Sequence, residues 1–308
     1  MRGTVNKLRQ TIMVLLSGLA ILSCGCSESD SGNRSNANGG KVAGGDVTQL
    51  NISVLLDLSD RIKDVSTLPP ARERDIELVG SLINIFKENM ERKGAYRSND
   101  KIRILFDPIP KYSEINSLAK RLNVDLSKLD SKGKKDVFDH IDGDFREALG
   151  EIYDTALRDK NWVGLDVWRF FRRNAKELCI DQSGNYRNIL VIVTDGYIYH
   201  AQSRDRIGNK TAYITELFFQ REGFRNTPNR RKKFDSQDYG FIFSGETYEN
   251  LEIMVMEVNP SQQHKNDEEI IRAFIDKWFE EMQVRNYVIH NVDLPGNTKQ
   301  RIENFFGI

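Results

Sequence analysis

The chain has 308 residues, with 45 Lys plus Arg against 45 Asp plus Glu, so no net charge draws it to nucleic acid or to an anionic membrane. A hydrophobic share of 39% beside 29% charged residues is that of a globular protein with a sizeable core. Only Cys179 among its 3 cysteines lies beyond the first few dozen residues, which excludes a disulfide framework and a cysteine-built zinc site and makes Cys179 a core residue.

Arg2, Lys7 and Arg9 precede the apolar run TIMVLLSGLAIL, and SCGC follows it. A basic start, a short apolar stretch and small residues at the cut describe an export signal over residues 1–23. The run falls short of the roughly 20 apolar residues that span a bilayer. ILSC resembles the lipobox of bacterial lipoproteins, in which the Cys after the cut carries the lipid (palmitate among its acyl groups). Cys24 is the expected site, with Cys26 as the alternative. Residues 24–48 are rich in Ser, Gly and Asn and read as a flexible tether between anchor and globular unit. The implied location is the cell envelope, the outer membrane in preference to the inner, since Glu28 and Asp30 resemble surface-export signals.

From residue 49 to 308 the pattern alternates strand and helix. Residues 50–58 read as a strand buried on both faces. In the helix that follows, Ile76, Val79, Ile83, Phe86 and Met90 form one face between Pro70 and Gly94. Residues 101–107 are a second strand, and 112–140 short polar helices or an excursion. Phe145, Ala148, Leu149, Ile152 and Ala156 mark another amphipathic helix, and VWRFFRRNAKELCI a third. The aliphatic run Ile189 to Val193 is the strongest strand. LEIMVMEV is a further strand, after an insertion at about 200–248. Next comes a helix with Asn266 as cap, Glu269 reaching back to it, and a stripe of Ile270, Phe274, Trp278 and Met282. NYVIHNV and TKQRIENFF close the chain. Short aliphatic strands alternating with helices predict an α/β fold, a doubly wound and mostly parallel sheet flanked by helices.

In such sheets ligands bind beyond the carboxyl ends of the strands, where strand order reverses. Asp57, Asp107 and Asp195 end strands there, and carboxylates brought together repel unless a cation lies among them. DLSDR after the first strand, GDFREALGEI opening a helix and VTDG ending a later strand together resemble a von Willebrand factor type A domain. That resemblance covers residues 50–308 and implies a metal-ion-dependent adhesion site holding Mg2+ or another divalent cation. It assigns Asp57 and Ser59 to the first motif and Asp195 to the last, and puts Asp144 where the family has a Thr. Arg61 stands where the family has a second Ser. Its guanidinium cannot deprotonate, so the alternatives are a working cation site or a rim neutralised by Arg61 paired with Asp57 or Asp144.

The implied function is partner binding, to a protein or an anionic envelope ligand, with no nucleic acid expected and no catalytic residue assigned. The alternative is a metal-dependent phosphoesterase or nuclease using Asp57, Asp60, Asp107, Asp144 and Asp195. Tyr197 and Tyr199, and the basic residues Arg230, Arg231, Lys232 and Lys233 of the insertion, are candidate partner contacts. His140, His200, His264 and His290 show no metal-ligand spacing.

Overall fold

Aliphatic runs form the middle of one sheet because both of its faces are covered. The computed structural model describes residues 48–64, 67–94, 96–158 and 164–308. The signal segment, Cys24 and the tether up to residue 47 lie outside the described residues.

The elements are β1 (Gln49–Leu56), α1 (Ala71–Lys93), β2 (Lys101–Leu105), α2 (Ser113–Arg121), β3 (Asn123–Asp125), α3 (Ser131–Arg158), α4 (Val167–Arg173), α5 (Ala175–Cys179) and β4 (Tyr186–Val193). There follow β5 (Arg206–Ile207), β6 (Lys210–Thr211), α6 (Glu216–Arg221), α7 (Arg230–Ser236), β7 (Gly240–Phe241), β8 (Leu251–Val258), α8 (Asp267–Glu281), β9 (Asn286–Asn291) and α9 (Pro295–Phe306). Six strands make the central sheet in the order β3-β2-β1-β4-β8-β9, and β3 alone is antiparallel to its neighbour. Successive side chains along a strand point to opposite faces. Ile52, Val54 and Leu56 accordingly join Val191, Val193 and Met256 in a core with α1, α3 and α9. Leu55, Leu190, Ile192 and Val255 pack on the other face with α4, α6 and α8. Among the described residues no helix is long and apolar enough to cross a membrane.

The helix boundaries follow local chemistry. Pro70 precedes α1, and Gly94, at φ 74°, ends it in a conformation that glycine adopts without a Cβ clash. Three expectations are corrected. The helix expected near residue 142 begins at Ser131, its added turns largely solvated and so lacking an apolar stripe. β3 is an edge strand too short to show alternation. Asn266 caps α8 without a side-chain hydrogen bond, and the Glu269 carboxylate lies 3.5 Å from Arg230 Nη1.

The insertion folds onto α8. β5, β6 and β7 form a small sheet, and the aromatic rings around them converge on Phe274. Its ring centroid lies 5.0 Å from Phe234, 5.4 Å from Phe241 and 5.9 Å from Phe218, each at a steep interplanar angle. Edge-to-face packing of this kind adds about 0.5–1.5 kcal/mol per pair beyond the area buried.

Candidate functional site

β1 and β4 run in register as far as Leu56 and Val193, so the residues after them leave the sheet side by side. This pair is where the strand order reverses. The Asp57 N–H donates to the Val193 carbonyl at 3.1 Å. The Asp57 carboxylate, 1% exposed, accepts from the Ser59 N–H at 2.8 Å and from the Thr194 hydroxyl at 3.0 Å. Asp195 accepts from the Tyr197 N–H at 2.9 Å through one oxygen. Its other oxygen has no hydrogen-bond partner among the described residues. Gly196 makes the turn possible: at φ 96° it is left-handed, and a Cβ there would lie 2.8 Å from Ile271 Cγ2.

Neither carboxylate has an ion-pair partner among the described residues. Burial pushes the Asp195 carboxyl up to about 7, with the charge of Asp57 as the next cause. Asp57 is raised as well, its burial outweighing Arg61 and the Ser59 and Thr194 hydrogen bonds. A cation between them would remove the repulsion that disfavours two charged carboxylates.

Arg61 is turned away from both carboxylates. Its guanidinium pairs with Asp75 of α1, and Nε donates to the Asp57 main-chain carbonyl at 3.0 Å. Tyr153 of α3 donates to the same Asp75 oxygen at 2.5 Å. The Arg61 and Asp75 side chains are 4% and 0% exposed. Burial opposes the guanidinium charge, but Asp75, then Tyr153 and Asp57, hold its proton beyond the ordinary arginine value. Of the two alternatives, a rim neutralised by Arg61 paired with the Asp57 or Asp144 carboxylate is not what forms, because the guanidinium is paired with Asp75.

Asp144 is not at the rim. It is exposed on α3, nine residues before the buried Tyr153. At about 3.6 residues per turn that offset is two and a half turns, which puts the two side chains on opposite faces. Asp107 is buried but matched, by Arg169 Nη2 at 2.8 Å and Asn174 Nδ2 at 2.7 Å. Asp60 is exposed at the rim. Asp57, Ser59 and Asp195 thus come together as the sequence suggests, and Asp107 and Asp144 do not join them.

The basic stretch is mostly tied down. Arg225 binds the buried Asp267 at 2.6 Å, and Arg231 lies 3.2 Å from Asp235. Arg230 turns towards Glu269, and Lys233 donates to the Glu222 carbonyl with its ammonium 5.3 Å from the Phe224 ring centre. Lys232 is exposed. Tyr197 and Tyr199 are half-buried beside a cavity of about 760 Å3 that Ser59, Asp195 and His200 also line.

Sequence reasoning missed Thr194, Asp75 and Tyr153. Asp75 adjoins Ile76 and Tyr153 adjoins Ile152, so each interrupts an apolar helix face with a polar group that has to find a partner inside. That interruption was the available signal.

Among the described residues no three His, Cys, Asp or Glu side chains gather as metal ligands. The donors on hand are two carboxylates and the Ser59 hydroxyl, oxygen only, with room for water. That set fits a hard cation such as Mg2+, which keeps several waters, and does not fit zinc.

No family model and no curated protein matches the chain. Among solved structures it is similar to the pilus adhesin SpaC from Lactobacillus rhamnosus GG in its open conformation, at 15% identity and a TM-score of 0.41 over 84% of this chain. The chain spans 30% of the length of that protein.

Proposed function

We propose that the chain is a lipid-anchored envelope protein of the bacterial cell, tethered through Cys24, whose type A-like α/β domain binds a partner at the carboxyl rim of its sheet. In this reading Asp57, Ser59 and Asp195 hold a divalent cation, Mg2+ by preference. The observation that carries it is the pair of carboxylates at the strand-order reversal, Asp57 buried and Asp195 half-buried, left without a cationic side chain because Arg61 is engaged by Asp75. The central sheet, with strand order reversing between β1 and β4, supports this reading, since in open α/β sheets ligands lie in the crevice at such a reversal.

Each residue has a definable part. The Ser59 N–H and the Thr194 hydroxyl fix the Asp57 carboxylate. The Tyr197 N–H orients Asp195 and leaves its second oxygen for a ligand. The cation, when bound, supplies a Lewis-acidic centre for an oxygen of the partner. A phosphoesterase built on Asp57, Asp60, Asp107, Asp144 and Asp195 together finds no support, because Asp107 is bound to Arg169 and Asp144 faces solvent on α3.

Isothermal titration of the full chain with Mg2+ and with Mn2+ tests the cation. Wild-type protein should take up one ion and gain thermal stability, and Asp57→Ala and Asp195→Asn should do neither while remaining folded by circular dichroism. Absence of heat and of thermal shift in the wild type ends the cation reading.

A further inference from the structure

Tyr197 is held at both ends. Its N–H donates to Asp195 at 2.9 Å, and its hydroxyl donates at 2.9 Å to Asp267, the first residue of α8. Its ring packs 6.1 Å, centre to centre, from that of Phe219 in α6. The residue that orients the Asp195 carboxylate is thereby fastened to the insertion and to α8.

Asp267 has a second partner. It is 4% exposed, and Arg225 of the insertion reaches it through Nε at 3.2 Å and Nη2 at 2.6 Å. The same Nη2 lies 3.1 Å from Glu216, the first residue of α6. A buried carboxylate deprived of its guanidinium is an uncompensated charge, which a tyrosine hydroxyl does not neutralise. Arg225 therefore fixes the Asp267 side chain, and Asp267 fixes the Tyr197 hydroxyl.

The path from Arg225 through Asp267 and Tyr197 to Asp195 has a hydrogen bond at every step. Packing ties its rim end to α8 as well, since a Cβ on Gly196 would lie 2.8 Å from Ile271 Cγ2. A second tie joins the insertion to α8 near the other end of that helix. There Lys277 Nζ donates to Asp238 at 2.5 Å and to the Tyr239 carbonyl at 2.8 Å, and it touches neither Tyr197 nor Asp195. The two ties allow a specific link to be told from a general loosening of the insertion.

We propose that Arg225 and Tyr197 are positioning residues for the rim, with Asp267 as the joint between them, so that the insertion holds Asp195 in place and sets the affinity for the cation. The proposal rests on the cation reading for its effect on affinity. The link itself is measured without metal.

The full chain serves for both measurements. In chelator, hydrogen exchange resolved by peptide should accelerate over residues 195–200 about tenfold in Tyr197→Phe and in Arg225→Met, the scale of one lost hydrogen bond to a charged group. Arg225→Lys, which keeps the charge and a donor, should restore most of the protection. Lys277→Met should loosen residues 237–241 and leave 195–200 as in wild type. By calorimetry, Tyr197→Phe and Arg225→Met should each bind Mn2+ about tenfold more weakly, because apparent affinity falls with the fraction of molecules that hold the ligand group in place. The double variant should bind no more weakly than the weaker single, as expected of two residues acting through one joint. Exchange over 195–200 that is unchanged in Arg225→Met overturns the link, as does equal acceleration in Lys277→Met. Accelerated exchange with wild-type Mn2+ affinity overturns the positioning role. A wild-type protein that takes up no Mn2+ removes the cation reading, and the link is then decided by exchange alone.

Discussion

Replacing Arg61 by Met separates its structural part from its electrostatic one. The Arg61 and Asp75 side chains are 4% and 0% exposed, so the substitution strands a buried carboxylate. Tyr153 remains as its donor at 2.5 Å, but Asp75 Oδ1 already lacks a partner. Breaking one side of a buried pair costs about 3–5 kcal/mol, and replacing both sides by apolar groups restores much of it. Arg61→Met should therefore lower the urea midpoint by about 1–3 M at an unchanged slope, and Arg61→Met with Asp75→Leu should recover most of the loss. Cation affinity should move the other way. Arg61 lowers the pKa of both Asp57 and Asp195, so it stabilises their negative charge and repels a second cation. Removing one positive charge a few ångströms behind the site should tighten Mg2+ on the order of tenfold at low salt, and less at high salt. Urea melts and Mg2+ titrations of the two variants measure both. A single variant as stable as wild type refutes the burial argument. A weakened Mg2+ affinity in a folded variant refutes the claim that Arg61 faces away from the site.

Three further outcomes follow from burial. Asp195 holds its proton up to about 7, against 3.8 when unfolded. Between those values the folded state binds the extra proton, so without divalent ions the contribution of Asp195 to stability is fully present below 3.8 and is lost as pH rises through about 7, by a few kcal/mol in order of magnitude. Melting temperatures in chelator at pH 5 and pH 8 should show the fall, and Asp195→Asn should flatten it. Burial pushes the Cys179 thiol up to about 12, so peptide mapping should find Cys179 unalkylated by iodoacetamide at pH 8 in native protein and alkylated in urea. Phe274→Ala should cost about 3–5 kcal/mol and expose the insertion to proteolysis before the central sheet, as limited digestion would reveal.

β1, β4, β8 and the stripes of α1 and α8 were legible because burial on one or both faces leaves a periodic trace in the residues themselves. Ile270, Phe274, Trp278 and Met282 are all buried as that trace implies. The first turns of α3 were not legible, since a solvated helix keeps no apolar face, nor was β3, held by three cross-strand partners. The insertion folds by rings that meet only in three dimensions. Asp57 and Asp195 were found because strand ends are predictable. The misplacement of Asp144 came from matching a motif by order without asking which face of a continuous helix it occupied.

The rim is selective in which charges it leaves unmatched. Glu257, at the end of β8, has φ 69°, a left-handed conformation that costs a non-glycine residue roughly 1–2 kcal/mol. The strain accompanies the register shift between Val255 and Val258 and brings the Glu257 carboxylate to Arg74 of α1 at 2.5 Å. Arg61 and Asp75 make a second buried pair between the end of β1 and the same helix. α1 therefore holds the ends of two strands that flank β4 in the sheet order, through charges that cancel. Asp107 is matched from α4. With Asp144 and Asp60 in solvent, the buried Asp57 and the half-buried Asp195 remain as the strand-end carboxylates without an ion-pair partner among the described residues. Arg74→Met should strand Glu257 and loosen β8 at its rim end, so it should weaken Mg2+ binding, whereas Arg61→Met should strengthen it. Both variants should lose several kcal/mol by breaking a buried pair. Opposite effects on the ion from equal losses of stability would separate α1 as a scaffold from Arg61 as a charge.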